Sequence, residues 1–271
     1  MSSLLDIFPV IPVVVVHDSA DAVPIAQALV DGGLPVIELT LRTPAALEAI
    51  KRIATEVPDI LVGAGTIVDT YQPRQAAAAG AQFLVSPGST PALRASMRDS
   101  GLPHLPGVAT VSEVLTLLEH GYTEMKFFPA EPAGGAPYLR AIHSPVPAAR
   151  FCPTGGITPS NLGDYLTSPN VGCVGISWLT PADAVKAQDW TKISGLAKVA
   201  RDLSAPWFEP AYCAIASRPL CLSESCQKAS PEFVTNVESR ESSSPVHGSR
   251  ASTRSSDRAR TSFDQPALVV G

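Results

Sequence analysis

The first 203 residues repeat one arrangement of apolar and polar positions. In each copy a helix-like stretch ends at a glycine, a residue or two follow, and a short apolar run comes next. Four clear copies are "LVDGGLPVIELTL" (29–41), "AAAAGAQFLVSPG" (76–88), "MRDSGLPHLPGV" (97–108) and "LLEHGYTEMKFFP" (117–129). Glycine readily adopts the left-handed conformation that ends a helix, and the apolar run that follows has the length of a buried strand.

Eight strand–helix units are indicated along this region. Strands are expected near 10–16, 35–41, 60–64, 82–86, 103–107, 123–128, 150–153 and 171–176. Helices are expected near 20–31, 44–56, 71–79, 90–99, 111–120, 135–143, 159–167 and 182–200. Uninterrupted apolar strands that alternate with helices are typical of parallel sheets in α/β proteins, and eight units predict a single (β/α)₈ TIM barrel. A doubly wound sheet is the alternative, although no G-x-G-x-x-G opens the first helix.

The composition changes near residue 204. The 68 residues from 204 to 271 contain 14 serines and no sustained periodicity, and "SRESSSPVHGSRASTRSSDRAR" (239–260) is almost free of apolar residues. A segment of this kind cannot bury enough apolar surface to offset the entropy of ordering. The sequence therefore predicts a barrel domain over 1–203 and a low-complexity, disordered tail over 204–271.

Charge and hydropathy argue against a nucleic-acid-binding, membrane-spanning or secreted protein. A formal charge of −5 gives no reason to expect a nucleic-acid partner. The apolar run at 10–16 is far shorter than the ~20 residues of a membrane-spanning helix. No lysine or arginine precedes Arg42, so the basic segment of a secretory signal is missing. We expect a cytoplasmic protein that binds neither nucleic acid nor membrane.

The cysteines and histidines form no pattern typical of metal ligands. The five histidines are scattered, and no pair of cysteines has zinc-site spacing; the cysteines are at 152, 173, 213, 221 and 226. Cys152 and Cys173 lie in strand-like runs, where a buried, reduced thiol is expected. We therefore expect no metal site.

Polar residues at the ends of the predicted strands are the candidate functional residues. In (β/α)₈ barrels the active site lies at the carboxyl ends of the strands and in the loops that follow them. The polar residues at these positions are Glu38, Thr40, Arg42, Thr66, Ser86, Lys126, Thr154 and Ser177. Strand alternation places residues 38, 40 and 42 on one face. An internal ion pair between Glu38 and Arg42 is the structural alternative to a functional role.

Lys126 stands among apolar residues in "EMKFFPAE" (124–131). Burying an ammonium without a partner is costly, so the position calls for an explanation. Apolar surroundings and a nearby cation, for which Arg42 is the candidate, would favour the neutral amine, which can attack a carbonyl and form a Schiff base. The alternative is a lysine that extends to solvent or pairs with Glu38.

The "TGGIT" segment (154–158) resembles an anion-binding loop. Two glycines allow backbone N–H groups to approach a phosphate, and a following helix would add its positive dipole end. In barrels the phosphate site frequently follows strands seven and eight, where Gly155, Gly156 and Ser177 are expected.

These residues together resemble the bacterial 2-keto-3-deoxy-6-phosphogluconate (KDPG) and 4-hydroxy-2-oxoglutarate (KHG) aldolases. The resemblance extends over residues 8–202, and its motifs are "ELTLRT" (38–43), "VGAGT" (62–66), "SPG" (86–88), "PGVATVSE" (106–113), "KFFPAE" (126–131), "FCPTGGITP" (151–159) and "SWLTPADA" (177–184). It implies a (β/α)₈ barrel that assembles as a homotrimer and needs no metal or other cofactor.

The resemblance also implies a role for each motif residue. Lys126 would form the Schiff base and Glu38 would be the general acid/base. The implied substrate-binding residues are Arg42 and Thr66 for the pyruvyl carboxylate, Thr154 for stereochemical choice, Gly155, Gly156 and Ser177 for the phosphate, with Pro87 and Phe128 alongside.

The implied function is that of a carbon–carbon lyase of the Entner–Doudoroff pathway. It would cleave KDPG, a phosphorylated 2-keto acid, to pyruvate and glyceraldehyde 3-phosphate, and also KHG to pyruvate and glyoxylate. A phosphosugar isomerase or epimerase on the same barrel, with Glu38 as base, is one alternative. A non-catalytic barrel that binds a phosphorylated ligand is the other.

Overall fold

The computed structural model describes residues 3–207 of the chain, in which parallel strands alternate with helices. The strands are β1 (Val10–Val14), β2 (Val36–Thr40), β3 (Leu61–Gly65), β4 (Phe83–Val85), β5 (His104–Leu105), β6 (Gly107–Val108), β7 (Glu124–Phe127), β8 (Arg150–Pro153) and β9 (Val174–Ile176). The α-helices are α1 (Ala22–Asp31), α2 (Ala46–Glu56), α3 (Gln72–Ala78), α4 (Pro91–Asp99), α5 (Val111–Glu119), α6 (Gly135–His143), α7 (Leu162–Leu166), α8 (Ala182–Lys186) and α9 (Trp190–Ser204).

Each of the eight predicted strands is present, and the fifth is divided in two. Pro106 separates β5 from β6, because proline has no N–H to donate to a ladder. β5 pairs with β4 on one side, whereas β6 pairs with β7 on the other. The carbonyl of Pro106 accepts a hydrogen bond from the Lys126 N–H at 3.0 Å. The divided fifth strand therefore pairs with β4 through its first half and with β7 through its second half.

The last two predicted helices differ from their expected bounds. The helix expected at 159–167 is shortened to α7, because Thr158 and Asn161 form a turn in which the Asn161 side chain accepts from the Thr158 N–H at 2.7 Å. The helix expected at 182–200 is two helices. Gln188 has a left-handed φ of 53°, and the Asp189 side chain caps α9 by accepting from the Lys192 N–H.

All strand pairs in the described residues are parallel, which confirms the predicted α/β class. Continuous ladders form a six-stranded sheet, β5-β4-β3-β2-β1-β9, and a three-stranded sheet, β6-β7-β8. Single bridges, Phe151 with Val171 and Thr154 with Gly175, link β8 to the β9 segment. The ladders therefore do not form one uninterrupted eight-stranded sheet.

The core lies on both sides of the strands. Every residue of β1 and β2 is buried, including the polar Glu38 and Thr40 of β2. The helices pack their apolar faces on the outer side, and α1 and α9 approach closely at Gly32. None of the helices described here is long and apolar enough to cross a membrane.

The predicted boundary at 203/204 coincides with the end of α9 at Ser204. Residues 208–271, which make up nearly all of the predicted tail, lie outside the described residues. The division into a barrel domain and a disordered tail stays a prediction.

Gly32→Ala should destabilise the fold, whereas Gly195→Ala should stabilise it. A Cβ on Gly32 would lie 2.3 Å from the Ala197 Cβ and 2.8 Å from the Ser194 carbonyl oxygen, so α9 would have to shift. We expect a loss of about 1–3 kcal/mol in the free energy of unfolding. Gly195 lies within α9 and has nothing within 4 Å of such a Cβ, so alanine there should add about 0.5–1 kcal/mol. Denaturant unfolding of both variants measures the difference, and equal effects would contradict close packing of α1 on α9.

Candidate active site

The centre of the site is a buried contact between Lys126 and Glu38. Lys126 lies on β7 and Glu38 on β2, which belong to different sheets, so their side chains meet across the interior. The Lys126 Nζ is 3.0 Å from Glu38 Oε1 and 3.5 Å from Oε2. The two side chains are only 5% and 2% exposed, so each is the other's charge partner in a region from which water is largely excluded.

The charged neighbour of Lys126 is a carboxylate and not the cation expected from the sequence. Arg42 is exposed, and its Nε donates to the Thr66 Oγ1 at 3.1 Å. The alternative of a Glu38–Arg42 ion pair is not formed either, since Glu38 pairs with Lys126. The Lys126 Nζ also lies 5.6 Å from the centre of the Phe128 ring, a favourable cation–π distance.

Glycines make room for the functional side chains. A Cβ on Gly65 would lie 2.1 Å from Glu38 Oε1, and one on Gly175 would lie 2.3 Å from Thr154 Oγ1. Sequence reasoning assigned no role to either glycine. The signal was present in "GAGT" and "VGIS", because a glycine inside a strand often marks a close approach of another group.

A third glycine brings the "SPG" segment close to the lysine strand. Gly107 is the register partner of Lys126, and a Cβ on Gly107 would lie 2.2 Å from the carbonyl carbon of Pro87. The buried Ser86 accepts from the Gly107 N–H through its Oγ at 3.3 Å. Pro87 is therefore held against β6, the strand that pairs with the lysine strand β7.

Thr66 has a strained backbone. Its φ is +58°, in the left-handed region that β-branched residues rarely adopt. The side chain of Thr66 accepts the hydrogen bond from Arg42, so the strained residue and the guanidinium form a pair at the ends of β3 and β2. Such strain costs on the order of 1–3 kcal/mol and clusters at functional sites.

The loop after β8 contains two successive left-handed glycines. Gly155 has φ +103° and Gly156 has φ +82°. Gly155 lies against the Phe128 ring, since a Cβ on Gly155 would be 3.3 Å from the ring carbon Cε2 of Phe128. The five-residue helix α7 begins six residues after Gly156, so the predicted contribution of a helix dipole is not supported. An anion could instead bind the backbone N–H groups of the loop.

Ser177 is exposed and lies just after β9. It lines a cleft of about 340 Å³ whose other lining residues are Val13, Val15, His17, Asp21, Thr180, Ala182, Val185 and Lys186. Val13 is the register partner of Glu38, so the cleft begins one strand away from the buried carboxylate. The structure thus places Lys126 and Glu38 in the interior, with the half-buried Phe128 and Pro87, the Arg42–Thr66 pair and Ser177 at the strand ends.

Cys152 and Cys173 are free, buried thiols, as predicted. A hydrogen bond with the Cys152 thiol, together with burial, raises the pKa of Cys173 well above its ordinary value. Cys152 is the register partner of Lys126, so a buried cysteine lies on the strand next to the amine. Within residues 3–207 no group of three or more His, Cys, Asp or Glu side chains could hold a metal ion.

Comparison with known proteins identifies the family. Residues 1–196 match the family model described as "KDPG and KHG aldolase". The chain belongs to this aldolase family. Among its relatives is the 2-dehydro-3-deoxy-phosphogluconate aldolase of Pseudoalteromonas atlantica, with 51% identity over 71% of this chain and 89% of the relative. The KHG/KDPG aldolase of Escherichia coli K12 is 49% identical over 73% of this chain and 93% of the relative.

Solved structures of the family are similar to this aldolase as well. The KDPG aldolase of Legionella pneumophila, with pyruvate captured as a covalent carbinolamine, has a TM-score of 0.71 and 46% identity, covering 73% of this chain and 96% of that one. The Zymomonas mobilis enzyme with 3-phosphoglycerate has a TM-score of 0.70 and 48% identity, covering 73% and 93%. The resemblance inferred from the motifs is confirmed, and with it the assignment as a carbon–carbon lyase.

Gly65→Ala should inactivate this aldolase without unfolding it. The new Cβ would occupy the position of the Glu38 carboxylate, which must move away from Lys126. We expect the rate of aldol cleavage to fall by about a hundredfold or more, the usual contribution of a positioned acid–base group. Steady-state cleavage assays and thermal melting measure the two effects. Gly195→Ala, a glycine substitution in open space, is the control. Full activity in Gly65→Ala would show that the position of Glu38 is unimportant.

Proposed function

We propose that this protein is a class I, Schiff-base aldolase in which Lys126 is the nucleophile and Glu38 the general acid/base. Its substrates would be KDPG, cleaved to pyruvate and glyceraldehyde 3-phosphate, and KHG, cleaved to pyruvate and glyoxylate. The observation that carries the proposal is the buried contact of 3.0 Å between the Lys126 amine and the Glu38 carboxylate. The family and the printed activities of its relatives support the same substrates.

The first step is the activation of Lys126. Attack on a carbonyl requires the neutral amine, and the Glu38 carboxylate is within hydrogen-bond distance to accept its proton. The amine nitrogen then bonds to the C2 carbon of the substrate and passes a proton to the former ketone oxygen, which gives a carbinolamine. Glu38 returns its proton to the carbinolamine hydroxyl, which leaves as water, so that an iminium ion forms and Glu38 is a carboxylate again. The covalent carbinolamine captured with pyruvate in the Legionella relative supports this step.

The second step breaks the C3–C4 bond. Glu38, again as a carboxylate, takes the proton of the C4 hydroxyl, directly or through a water molecule. The electrons of the C3–C4 bond flow into the iminium, and the aldehyde leaves. The remaining enamine takes this proton from Glu38 at C3, and hydrolysis of the resulting iminium releases pyruvate and the free Lys126 amine. Every proton and electron is accounted for within this sequence, so the mechanism requires no cofactor.

Substrate positioning is assigned to residues at the strand ends. Arg42, held by Thr66, would bind the pyruvyl carboxylate, since a guanidinium pairs well with a carboxylate. Thr154 would contribute to stereochemical choice, while Pro87 and Phe128 would line the pocket. The N–H groups of Gly155 and Gly156, together with Ser177, would bind the phosphate. The Zymomonas relative with bound 3-phosphoglycerate supports a site for phosphorylated acids.

The proposal extends to the closure of the barrel, the domain bounds, the assembly and the cellular location of the protein. We propose that the two sheets close as one (β/α)₈ barrel, a view supported by the single bridges between β8 and β9 and by the contact of Lys126 with Glu38 across the interior. The barrel domain would span residues 1–203 and precede a disordered tail over 204–271. Assembly as a homotrimer and a cytoplasmic place in the Entner–Doudoroff pathway follow from the family resemblance.

Two other functions fit part of the site. A phosphosugar isomerase or epimerase would use Glu38 and the phosphate site but has no need for a buried lysine. A non-catalytic binding barrel has no need for a carboxylate against the amine. The Lys126–Glu38 contact and the family therefore favour the aldolase.

Lys126→Ala and Glu38→Gln should separate imine formation from bond cleavage. Lys126→Ala should abolish cleavage and also the borohydride trapping of pyruvate, because no other group forms the imine. Glu38→Gln keeps the shape but removes the base, so trapping should persist at a reduced rate while cleavage falls about 10²–10⁴-fold. Mass spectrometry of the reduced adduct and steady-state kinetics are the measurements. Lys192→Ala, an exposed lysine paired with Asp183, is the control. A pyruvate adduct that still forms in Lys126→Ala would refute the assignment.

Ser177→Ala should discriminate between the two substrates. Loss of its hydroxyl removes a phosphate contact, so the KM for KDPG should rise several-fold. KHG has no phosphate, and its cleavage should barely change. Ser112→Ala, an exposed serine on α5, serves as the control. An equal effect on both substrates would place Ser177 outside the phosphate site.

A further inference from the structure

The loop after β8 is held so that its carbonyl groups are occupied. The Thr154 carbonyl accepts from the Ala130 N–H at 2.8 Å, and the Gly155 carbonyl accepts from the Glu131 N–H at 3.0 Å. The Gly156 carbonyl accepts from the Asn161 Nδ2 at 3.1 Å. Three consecutive carbonyl oxygens thus accept hydrogen bonds from donors of the protein itself.

The N–H groups of the same loop are only partly engaged. The Gly156 N–H donates to no group within residues 3–207, the Gly155 N–H faces the Gly175 carbonyl in the single bridge between Thr154 and Gly175, and both glycines are left-handed. Successive N–H groups in such a turn form a concave cluster of donors that suits an anion. The orientation of the loop, and with it the anion site, depends on whatever holds the three donors in place.

Glu131 supplies one of those donors, and Tyr165 holds Glu131 in place. The Tyr165 hydroxyl donates to Glu131 Oε1, and the Glu131 backbone donates to Gly155. A Cβ on Gly156 would lie 2.6 Å from the Glu131 Cβ and Cγ, so the stem of the glutamate lies directly against the loop. The Tyr165 side chain is fully buried on α7, which makes it a fixed anchor.

We propose that Glu131 and Tyr165 are positioning residues of the phosphate site: their hydrogen bond sets the orientation of the Gly155–Gly156 N–H groups. This inference rests on the proposed function, because it concerns how the phosphorylated substrate is recognised. Glu131 lies five residues after Lys126 in the same segment, so the pair also ties the phosphate loop to the strand that carries the amine.

The protonated hydroxyl of Tyr165 suits this positioning role. Burial and the hydrogen bond to the Glu131 carboxylate raise the pKa of Tyr165 above its ordinary value. The hydroxyl therefore keeps its proton and remains a donor over the pH range in which an aldolase works. A hydrogen bond to an ionised acceptor is stronger than one between neutral groups, which favours a fixed loop.

Tyr165→Phe tests the proposal because it removes the hydroxyl and keeps the buried ring. We expect the KM for KDPG and the dissociation constant of inorganic phosphate, measured by calorimetry, to rise about five- to twentyfold, since hydrogen bonds to charged groups are among the strong ones. The kcat/KM for KHG should stay within about twofold, since KHG has no phosphate. Borohydride trapping of pyruvate on Lys126 should be unchanged.

Three further variants make the test specific. Tyr138→Phe is the matched control, because this ring stacks on Phe127 and its hydroxyl has no hydrogen-bond partner among residues 3–207. Glu131→Gln keeps an acceptor for the tyrosine and should retain most phosphate affinity. Asn161→Ala removes the donor to the Gly156 carbonyl and should weaken phosphate binding as Tyr165→Phe does.

Each outcome decides the inference. An unchanged phosphate affinity in Tyr165→Phe, or an equal loss for KDPG and KHG, would overturn it. If Tyr165→Phe does not fold, Glu131→Ala decides by the same criterion. Failure of the unaltered enzyme to trap pyruvate would refute the Schiff-base function instead, and phosphate calorimetry on the variants would still test the positioning role.

Discussion

The buried ion pair of Lys126 and Glu38 is the interaction on which the rest of the site depends. Taking both charges out of water is costly, and their attraction offsets that cost only at close range and with good geometry. At 3.0 Å the pair meets this condition, whereas removing one partner of such a pair typically costs about 3–5 kcal/mol. The strands β2 and β7 must therefore be held opposite one another, and the same arrangement allows a proton to pass between amine and carboxylate.

Small residues are the second requirement of this arrangement. Gly65, Gly107 and Gly175 each lie where a Cβ would overlap a functional or loop group. They lower the intrinsic stability of their strands, since glycine has no side chain to pack and loses more entropy on folding. The left-handed Thr66 adds backbone strain. The geometry of the site therefore lowers the local stability, and burial of the surrounding apolar core must compensate for this loss.

Hydrogen bonds between two loops link the chemistry to substrate recognition. The segment after Lys126 donates from Ala130 and Glu131 to the carbonyls of the glycine loop. A shift of either loop would move both the amine and the N–H groups proposed to bind phosphate. The distance between the reacting carbon and the phosphate of a substrate is fixed, so holding the two loops together fixes where the reacting carbon lies.

Local patterns in the sequence determined the elements. Largely apolar runs, four of them preceded by a helix-ending glycine, predicted the eight strands, because the strands of a parallel sheet are buried on both faces. The motifs around Glu38, Lys126 and Gly155 predicted the family. The sequence also singled out Lys126, since a lysine between apolar residues needs a partner.

Only the tertiary structure decided which residues meet. Glu38 and Lys126 are 88 positions apart, and their contact depends on how the strands face one another across the interior. Arg42 was expected beside the amine but pairs with Thr66, because it lies beyond the end of β2 and is exposed there. The division at Pro106 and the short α7 likewise arise from pairing and turn geometry that no local periodicity encodes. A pattern of apolar residues specifies what is buried, whereas distances between strand ends follow from the packing of the whole chain.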